Sequence, residues 1–371
     1  MVGNASDRLE ERLTALPGIA RLREAAAGAR AYLVGGVVRD LLLGRPRGDL
    51  DVVVEGDAAA FAARLGGEAR AHERFGTFAV RVDGLRVDVA TARAETYPRP
   101  GALPEVRPAS LREDLARRDF TINAMAIPLA GEPELVDPHG GREDLGAGLL
   151  RLLHANSIAD DPTRALRAAR YAARFGFALE PASEAQVRAA DLATVSADRV
   201  EAELRKLAAE ERARAGFELL AAWGLVELAP DGAALVDAVA KLSARDPWRE
   251  VDHAEAVLAA ALGRGLAEAA ELAAYRPPSP SAGRERAAGR SPVTLLLARA
   301  MGAAWLDDYM RSWRHVGLDI GGGDLLAAGI EEGPAIGRGL AAALRAKLDG
   351  EISGREEELR VALAAAREGR P

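Results

Sequence analysis

Apolar residues follow two rhythms along this chain. Between about Tyr32 and Val136 they come in short runs of strand length, AYLVGG, LDVVVEG, TFAVRV and LRVDVAT, with a weaker one in PELVD. Only Asp83-Gly84 separates TFAVRV from LRVDVAT, the dipeptide favoured where both central turn residues need positive φ, so this pair predicts a type I′ hairpin. Beyond Gly148 the pattern is helical throughout, as in ALRAARYAARF, EAQVRAADLA and VEAELRKLAAEERARAGFELLAAWG. The fold class expected is α+β, with a small α/β head over 1–148 and an all-α remainder. Residues 276–292, RPPSPSAGRERAAGRSP, hold four prolines and three serines and read as a linker or mobile loop. The helical remainder then divides into 149–215, 216–275 and 293–371, and no fixed-period repeat runs through it.

At 371 residues the chain suits two or three domains. Its 49% hydrophobic and 28% charged content excludes a disordered, collagen-like or coiled-coil chain. The absence of cysteine excludes disulfides, thiolate zinc sites and a cysteine nucleophile. His72, His139, His154, His253 and His315 are too scattered for a metal motif. The first thirty residues lack the apolar core of a signal peptide or membrane span, which leads to the expectation of a cytoplasmic protein with no membrane partner. A net charge of −7 rules out a uniform positive coat, so any nucleic-acid contact must use local basic surfaces.

The candidate chemistry begins at Gly35-Gly36, which lie between a strand and a short helix. Glycines there let the backbone approach a ligand, and the helix N-terminus favours an anion such as phosphate, although a glycine pair also serves turn geometry alone. In Gly48-Asp49-Leu50-Asp51, carboxylates two residues apart at the start of an apolar strand share a face. Like charges so close call for a cation, and Mg2+ is the natural one. A solvated turn would read the same way in isolation; the glycine turn and arginine-bearing helix before it shift the reading to metal. Asp88, on the strand after the hairpin, is either a third carboxylate of a two-metal site or a plain exposed hairpin aspartate.

GGVVRDLLLG and GDLDVVV, followed by Arg117-Arg118-Asp119-Phe120-Thr121-Ile122-Asn123-Ala124-Met125, resemble the class II tRNA nucleotidyltransferases. These are the CCA-adding enzymes and their bacterial poly(A) polymerase relatives, within the polymerase-β-like nucleotidyltransferases. The likeness continues through Asp137-Pro138-His139-Gly140-Gly141, Asp160-Asp161-Pro162-Thr163-Arg164 and Ser196-Ala197-Asp198-Arg199-Val200-Glu201, in family order from Tyr32 to Leu207. It implies a catalytic head, a base-reading neck over 149–215, a body over 216–275 and a tRNA-binding tail over 293–371. It also implies CTP and ATP as substrates and a two-metal Mg2+ site on Asp49 and Asp51, with Asp88 beside them. By the same resemblance Gly35, Gly36 and Arg39 contact the triphosphate. Arg118 and Asp119 bind ribose and phosphates, and Asn123, Arg167 and Arg170 join the nucleotide site. The implied partners are the tRNA 3′ end with its acceptor and elbow region, and no protein partner. The implied activity is template-independent addition of C and A to that 3′ end with release of pyrophosphate. Addition of CC only or A only, poly(A) synthesis, or a silent RNA-binding module are the alternatives.

In this family the motif matching Asp161 and Arg164 reads the incoming base. A carboxylate accepts from an exocyclic amino group while a guanidinium donates to the neighbouring ring nitrogen, a pattern that cytosine and adenine fit and uracil and guanine do not. Asp160 stands where the family usually has glutamate. Arg164, Arg167, Arg170 and Arg174 recur at helical spacing with no acid between Pro162 and Leu179, a basic stripe that is either a solvated face or a set of phosphate contacts. Aromatic residues are only 4% of the chain, so RNA recognition is expected to rest on backbone and shape. Residues 94–110 occupy the place of the family's flexible loop, which is important for the switch from C to A, and their proline-rich wording is similar to that of some A-adding specialists. Gly323-Asp324-Leu325-Leu326, Gly329, Gly333-Pro334 and Ile336-Gly337 resemble the family's tail, and also suit helix caps.

Overall fold

The computed structural model describes residues 5–45, 50–72, 76–82 and 84–368. The chain forms two compact units, Met1–Leu225 and Val226–Pro371. No helix among the described residues is long and apolar enough to cross a membrane.

The first unit opens with helices α1 (Ala5–Thr14) and α2 (Ile19–Ala25). Strand β1 (Arg30–Val34), helix α3 (Gly36–Leu42), strand β2 (Leu50–Glu55) and helix α4 (Ala58–Leu65) follow. Strands β3 (Glu68–His72), β4 (Thr77–Val82) and β5 (Leu85–Thr91) come next, then a hairpin of β6 (Arg93–Thr96) and β7 (Glu105–Pro108). Helix α5 (Leu111–Ala116) and strand β8 (Ala126–Pro128) complete the head, whose six-stranded sheet runs β3-β4-β5-β2-β1-β8. Within it only β2 and β5 pair in parallel. Central β2 buries Val52, Val53 and Val54, as a strand covered on both faces does, and exposes only Asp51 near its start.

Local chemistry sets the ends of these elements. Asp57 Oδ1 accepts from the Ala60 backbone N–H at 3.0 Å to start α4. Ser110 and Glu113 form a reciprocal capping box at α5. The Ser110 backbone N–H, then Arg107 and the Ser110 hydroxyl, hold the Glu113 carboxyl down at about 2.

The four strong strand expectations are met by β1, β2, β4 and β5. Asp83 of the expected turn lies outside the described residues; Val82 pairs with Leu85, and Gly84 takes φ 79°. PELVD forms no strand, because Val136 makes a single bridge, to Ala126. The sheet edge there belongs to β8, whose three residues are too few to show alternation.

Helix α6 (Gly141–Ala147), strand β9 (Leu149–Leu150), helices α7 (Ser157–Asp160) and α8 (Thr163–Phe175), strand β10 (Ala178–Leu179) and helices α9 (Pro181–Arg188), α10 (Ala197–Ala208) and α11 (Ala213–Ala222) finish this unit. Phe120, just after α5, meets Tyr171 of α8 edge-on at 5.7 Å, so sheet and helices share one core. Helix α11 packs on α8 and buries Phe217 and Leu220, and the first unit ends at Leu225.

The second unit is helical: α12 (Gly232–Ser243), α13 (His253–Leu262), α14 (Leu266–Ala274), α15 (Pro280–Ala287), α16 (Pro292–Ala300), α17 (Leu306–Arg311), α18 (Gly322–Ala327), α19 (Pro334–Leu348) and α20 (Arg355–Arg367). The expected linker over 276–292 is corrected here, since it contains α15 and the start of α16. Ser279 and Ser291 are N-caps, and Pro280 and Pro292 occupy the first helical turn, where a missing N–H costs nothing. The Ser281 hydroxyl and backbone N–H both donate to Asp349, which anchors α15 to the end of α19. Gly321 with Asp324 caps α18, and Pro334 starts α19, so these tail residues punctuate helices.

Candidate active site

A cleft of about 550 Å³ lies in the first unit, between the C-terminal side of β1, the segment after α5, and helices α8 and α10. Gly35, Gly36, Arg39, Asp51, Arg118, Asp119, Asn123, Asp161, Arg164 and Arg167 all line it. Residues separated by more than 130 positions in sequence thus meet in one place. Asp49 lies outside the described residues.

Gly35 sits at φ 73°, and a Cβ there would come within 2.7 Å of Arg118 Nη1, so this position keeps the wall open for the guanidinium. Arg118 Nη2 donates to buried Asp114 at 2.9 Å, while its buried Nε donates to nothing among the described residues. The Arg118 side chain lines the cleft, where a guanidinium suits an anionic ligand. Arg39 is spoken for within the fold. It is buried, donates to Asp40 at 2.8 Å and to Asn123 Oδ1 at 2.6 Å, and lies over the rings of Tyr171 and Phe175.

Asp119 accepts four hydrogen bonds. Oδ1 takes the Phe120 backbone N–H at 2.8 Å and Asn123 Nδ2 at 2.9 Å, and Oδ2 takes Arg167 Nε at 2.8 Å and Nη2 at 2.5 Å. Burial would raise the carboxyl, but Arg167 and the Asn123 amide outweigh it and hold Asp119 well below the usual carboxylate range.

Asp51 also borders a second cavity of about 380 Å³ over the open sheet face, lined by Phe78, Arg86, Asp88 and Arg93 among others. Asp51 and Asp88 are register partners on parallel β2 and β5, so their side chains leave the same face side by side. Arg86 pairs with Asp88 at 3.1 Å on the exposed face. Adjacent carboxylates present the hard oxygen donors that Mg2+ prefers. No three His, Cys, Asp or Glu gather among the described residues.

At the other end of the cleft, Asp161 Oδ1 accepts from the Thr163 backbone N–H at 3.1 Å, the Thr163 hydroxyl at 2.6 Å and Arg199 Nη2 at 2.9 Å. Arg164 is buried and donates to Ser157 Oγ at 2.6 Å and to the Arg117 carbonyl at 2.7 Å. Asp160 faces His154 at 4.0 Å.

The basic stripe of α8 is neither a solvated face nor a free row of phosphate contacts. Arg170 is buried, lies 3.6 Å from Glu203 and 3.8 Å from Glu210, and does not line the cleft. Arg174 pairs with Glu210, its Nε donating at 2.8 Å. The neutralising acids sit on α10 and just beyond it, too distant in sequence for a local reading to find.

Sequence reasoning assigned no role to four further lining residues, Glu95, Tyr97, Arg199 and Glu203. Tyr97 donates to Glu95 at 2.8 Å; burial and then the Glu95 charge push its phenol well above the ordinary range. Arg199 lies in a motif already noted, and its pairing with Asp161 is the signal that a search for partners of that aspartate would have followed.

The poly A polymerase head domain family matches residues 31–151, and a family described as a probable RNA and SrmB-binding site of polymerase A matches 176–235. The A-adding tRNA nucleotidyltransferase of Halalkalibacterium halodurans is 46% identical over 215 residues, 54% of this chain and 50% of that one. This chain therefore spans about half the length of that relative. The CC-adding tRNA nucleotidyltransferase of Deinococcus radiodurans is 36% identical over 360 residues, 92% of this chain and 91% of that one. The solved structure of the Thermotoga maritima CCA-adding enzyme complexed with tRNA_CCA superposes with a TM-score of 0.74 at 29% identity, covering 96% of this chain and 98% of that one. With a relative matched over nearly its whole length and the head motifs gathered into one cleft, the chain belongs to the class II tRNA nucleotidyltransferases.

Proposed function

We propose that this protein adds C and A to the 3′ end of tRNA without a template, using CTP and ATP and releasing pyrophosphate. One observation carries the reading: Asp51 forms a wall of two cavities at once, a polar one that ends at Asp161 and Arg164 and an open one over the sheet face. In-line transfer needs the attacking oxygen and the leaving group on opposite sides of the α-phosphorus. The nucleotide would fill the first cavity, with its base at Asp161 and Arg164 and its phosphates toward Gly35 and Arg118. The RNA terminus would enter from the second.

The RNA 3′-oxygen then bonds to the α-phosphorus as the bond to the β-bridging oxygen breaks, pyrophosphate leaves and the hydroxyl proton passes to solvent. Asp51, with Asp49 and neighbouring Asp88, would hold Mg2+, which when bound supplies charge stabilisation at the reacting oxygens. Arg118, whose guanidinium lines the first cavity, would hold phosphate oxygens. Arg39 and Asp119 act one step back, keeping Asn123 and Arg167 in place.

The 46% identity to an A-adding relative over 215 residues favours addition of A alone as the second reading. Transcripts ending before CCA, after C and after CC, incubated with Mg2+ and labelled CTP or ATP, test both. Stepwise C, C and A incorporation is expected. Incorporation of A only, into the CC-ended transcript, would establish the specialist, and no incorporation into any transcript would overturn the enzyme reading.

A further inference from the structure

We infer that the open sheet face beyond Asp88 is a sequence-independent RNA track: Arg70, Arg81 and Arg86 take phosphates of the strand just behind the RNA 3′ terminus. The inference names where the acceptor RNA of the proposed reaction lies, and it rests on that reading.

Strand periodicity sets this face. On β4 and β5, Val80, Val82, Val87 and Val89 point to one side and are buried, with α4 packed on both strands. Arg81 and Arg86 alternate with them and leave the opposite side, and both are exposed, as is Arg70 on edge strand β3. Register then fixes the layout. Asp51, Asp88, Ala79 and Arg70 form one row across four neighbouring strands, and Arg86, Arg81 and Glu68 form the next. At about 4.8 Å per strand, the first row runs about 14 Å from Asp51 to the sheet edge. That length spans about four nucleotides at a stacked rise of about 3.4 Å.

A third cavity, of about 290 Å³, is lined by Glu68, Arg70, Ala79, Arg81 and Arg86 among others. It shares Ala79 and Arg86 with the cavity through which the RNA terminus would enter, so the two are continuous. Alanine at 79 puts no long side chain between Asp88 and Arg70. The outer cavity sets three arginines against one acid, the reverse of a chain whose net charge is −7. Arg81 and Arg86 are direct cross-strand partners, and like charges so placed destabilise a sheet. Arg86 pairs with Asp88, whereas Arg70 and Arg81 form no ion pair among the described residues. A phosphate lying across Arg81 and Arg86 would relieve their repulsion. Among the described residues, no amide or aromatic side chain lines the outer cavity, so it would hold backbone and not read bases.

The test measures filter binding over a salt series for two tRNA transcripts, one ending in CC and one trimmed of its unpaired 3′ nucleotides. Three proteins are compared: the wild type, Arg70→Ala with Arg81→Ala, and Arg70→Lys with Arg81→Lys. Arg86 is left intact because it also pairs with Asp88. On the CC-ended transcript the alanine variant is expected to bind about tenfold more weakly, and the slope of log affinity against log salt should shrink by about one per arginine. KM for that transcript should rise by a similar factor while KM for ATP stays near the wild-type value. On the trimmed transcript the alanine variant and the wild type should bind alike, because the strand that the arginines hold is gone. Lysine keeps the charge and should keep the wild-type slope. An unchanged slope in the alanine variant, or an equal loss on both transcripts, would overturn the track. A wild type that transfers no nucleotide to any transcript would instead remove the function on which the inference rests.

Discussion

The two ends of the cleft solve opposite electrostatic problems. At the sheet end, Asp51 and Asp88 stand side by side on an exposed face, with Arg86 as a surface partner of Asp88. At the helical end, Asp119, Arg167, Glu203 and Arg170 form a ladder of alternating sign, most of it buried. The first arrangement sets two carboxylates side by side where, on the proposed function, a cation would sit. The second cancels its charge internally, so it spends its ionic groups on shape. Substitutions at the sheet end should therefore reduce chemistry and spare stability, and those in the ladder should cost stability first.

Asp51→Ala should separate the two ends most widely. Transfer is expected to fall by about 1,000-fold or more, several kcal/mol of lost charge stabilisation, while tRNA affinity in a filter-binding assay stays nearly unchanged. Retained transfer would mean that this carboxylate holds no metal. Arg167→Ala should give the converse result, costing about 3–5 kcal/mol in urea unfolding because it strands the buried Asp119 charge.

A pH dependence follows from Asp119 with a definite sign. Its folded pKa is depressed, so the stabilisation is present above the unfolded carboxylate value of about 3.9 and is lost as pH falls toward the folded value. Asp119→Asn should accordingly be less stable than the wild type at pH 7, with the gap narrowing below pH 4; a gap that stays constant with pH would contradict the pairing with Arg167. The smallest effect is expected from Ser110→Ala, which removes the α5 capping-box side chain, a group that lines neither cavity. It should cost about 1 kcal/mol in thermal unfolding and leave the transfer rate unchanged.

Legibility in the sequence followed the range of the forces involved. Strands β1, β2, β4 and β5 were readable because each carries its own apolar run, and the hairpin because its turn residues are adjacent. Strands β6 and β7 were not, since ARG-, GLU- and PRO-rich segments such as Arg93–Thr96 and Glu105–Pro108 pair through backbone bonds that no side-chain period reports. Prolines misled at 276–292 because the same residue ends one helix and begins the next. Motif spacing located Gly35, Asp51, Arg118, Asp161 and Arg164 at the cleft. It did not show that Arg170 and Arg174 are neutralised by Glu203 and Glu210, because those acids arrive from another helix. Nor did it show that Arg39, which lines the cleft, is also bonded to Asp40 and Asn123.

Asp51 borders both cavities, so on the proposed function it limits where product length can be adjusted. Any change there disables both sides together, so a lineage that comes to append fewer or different nucleotides must do so through surfaces belonging to one chamber alone.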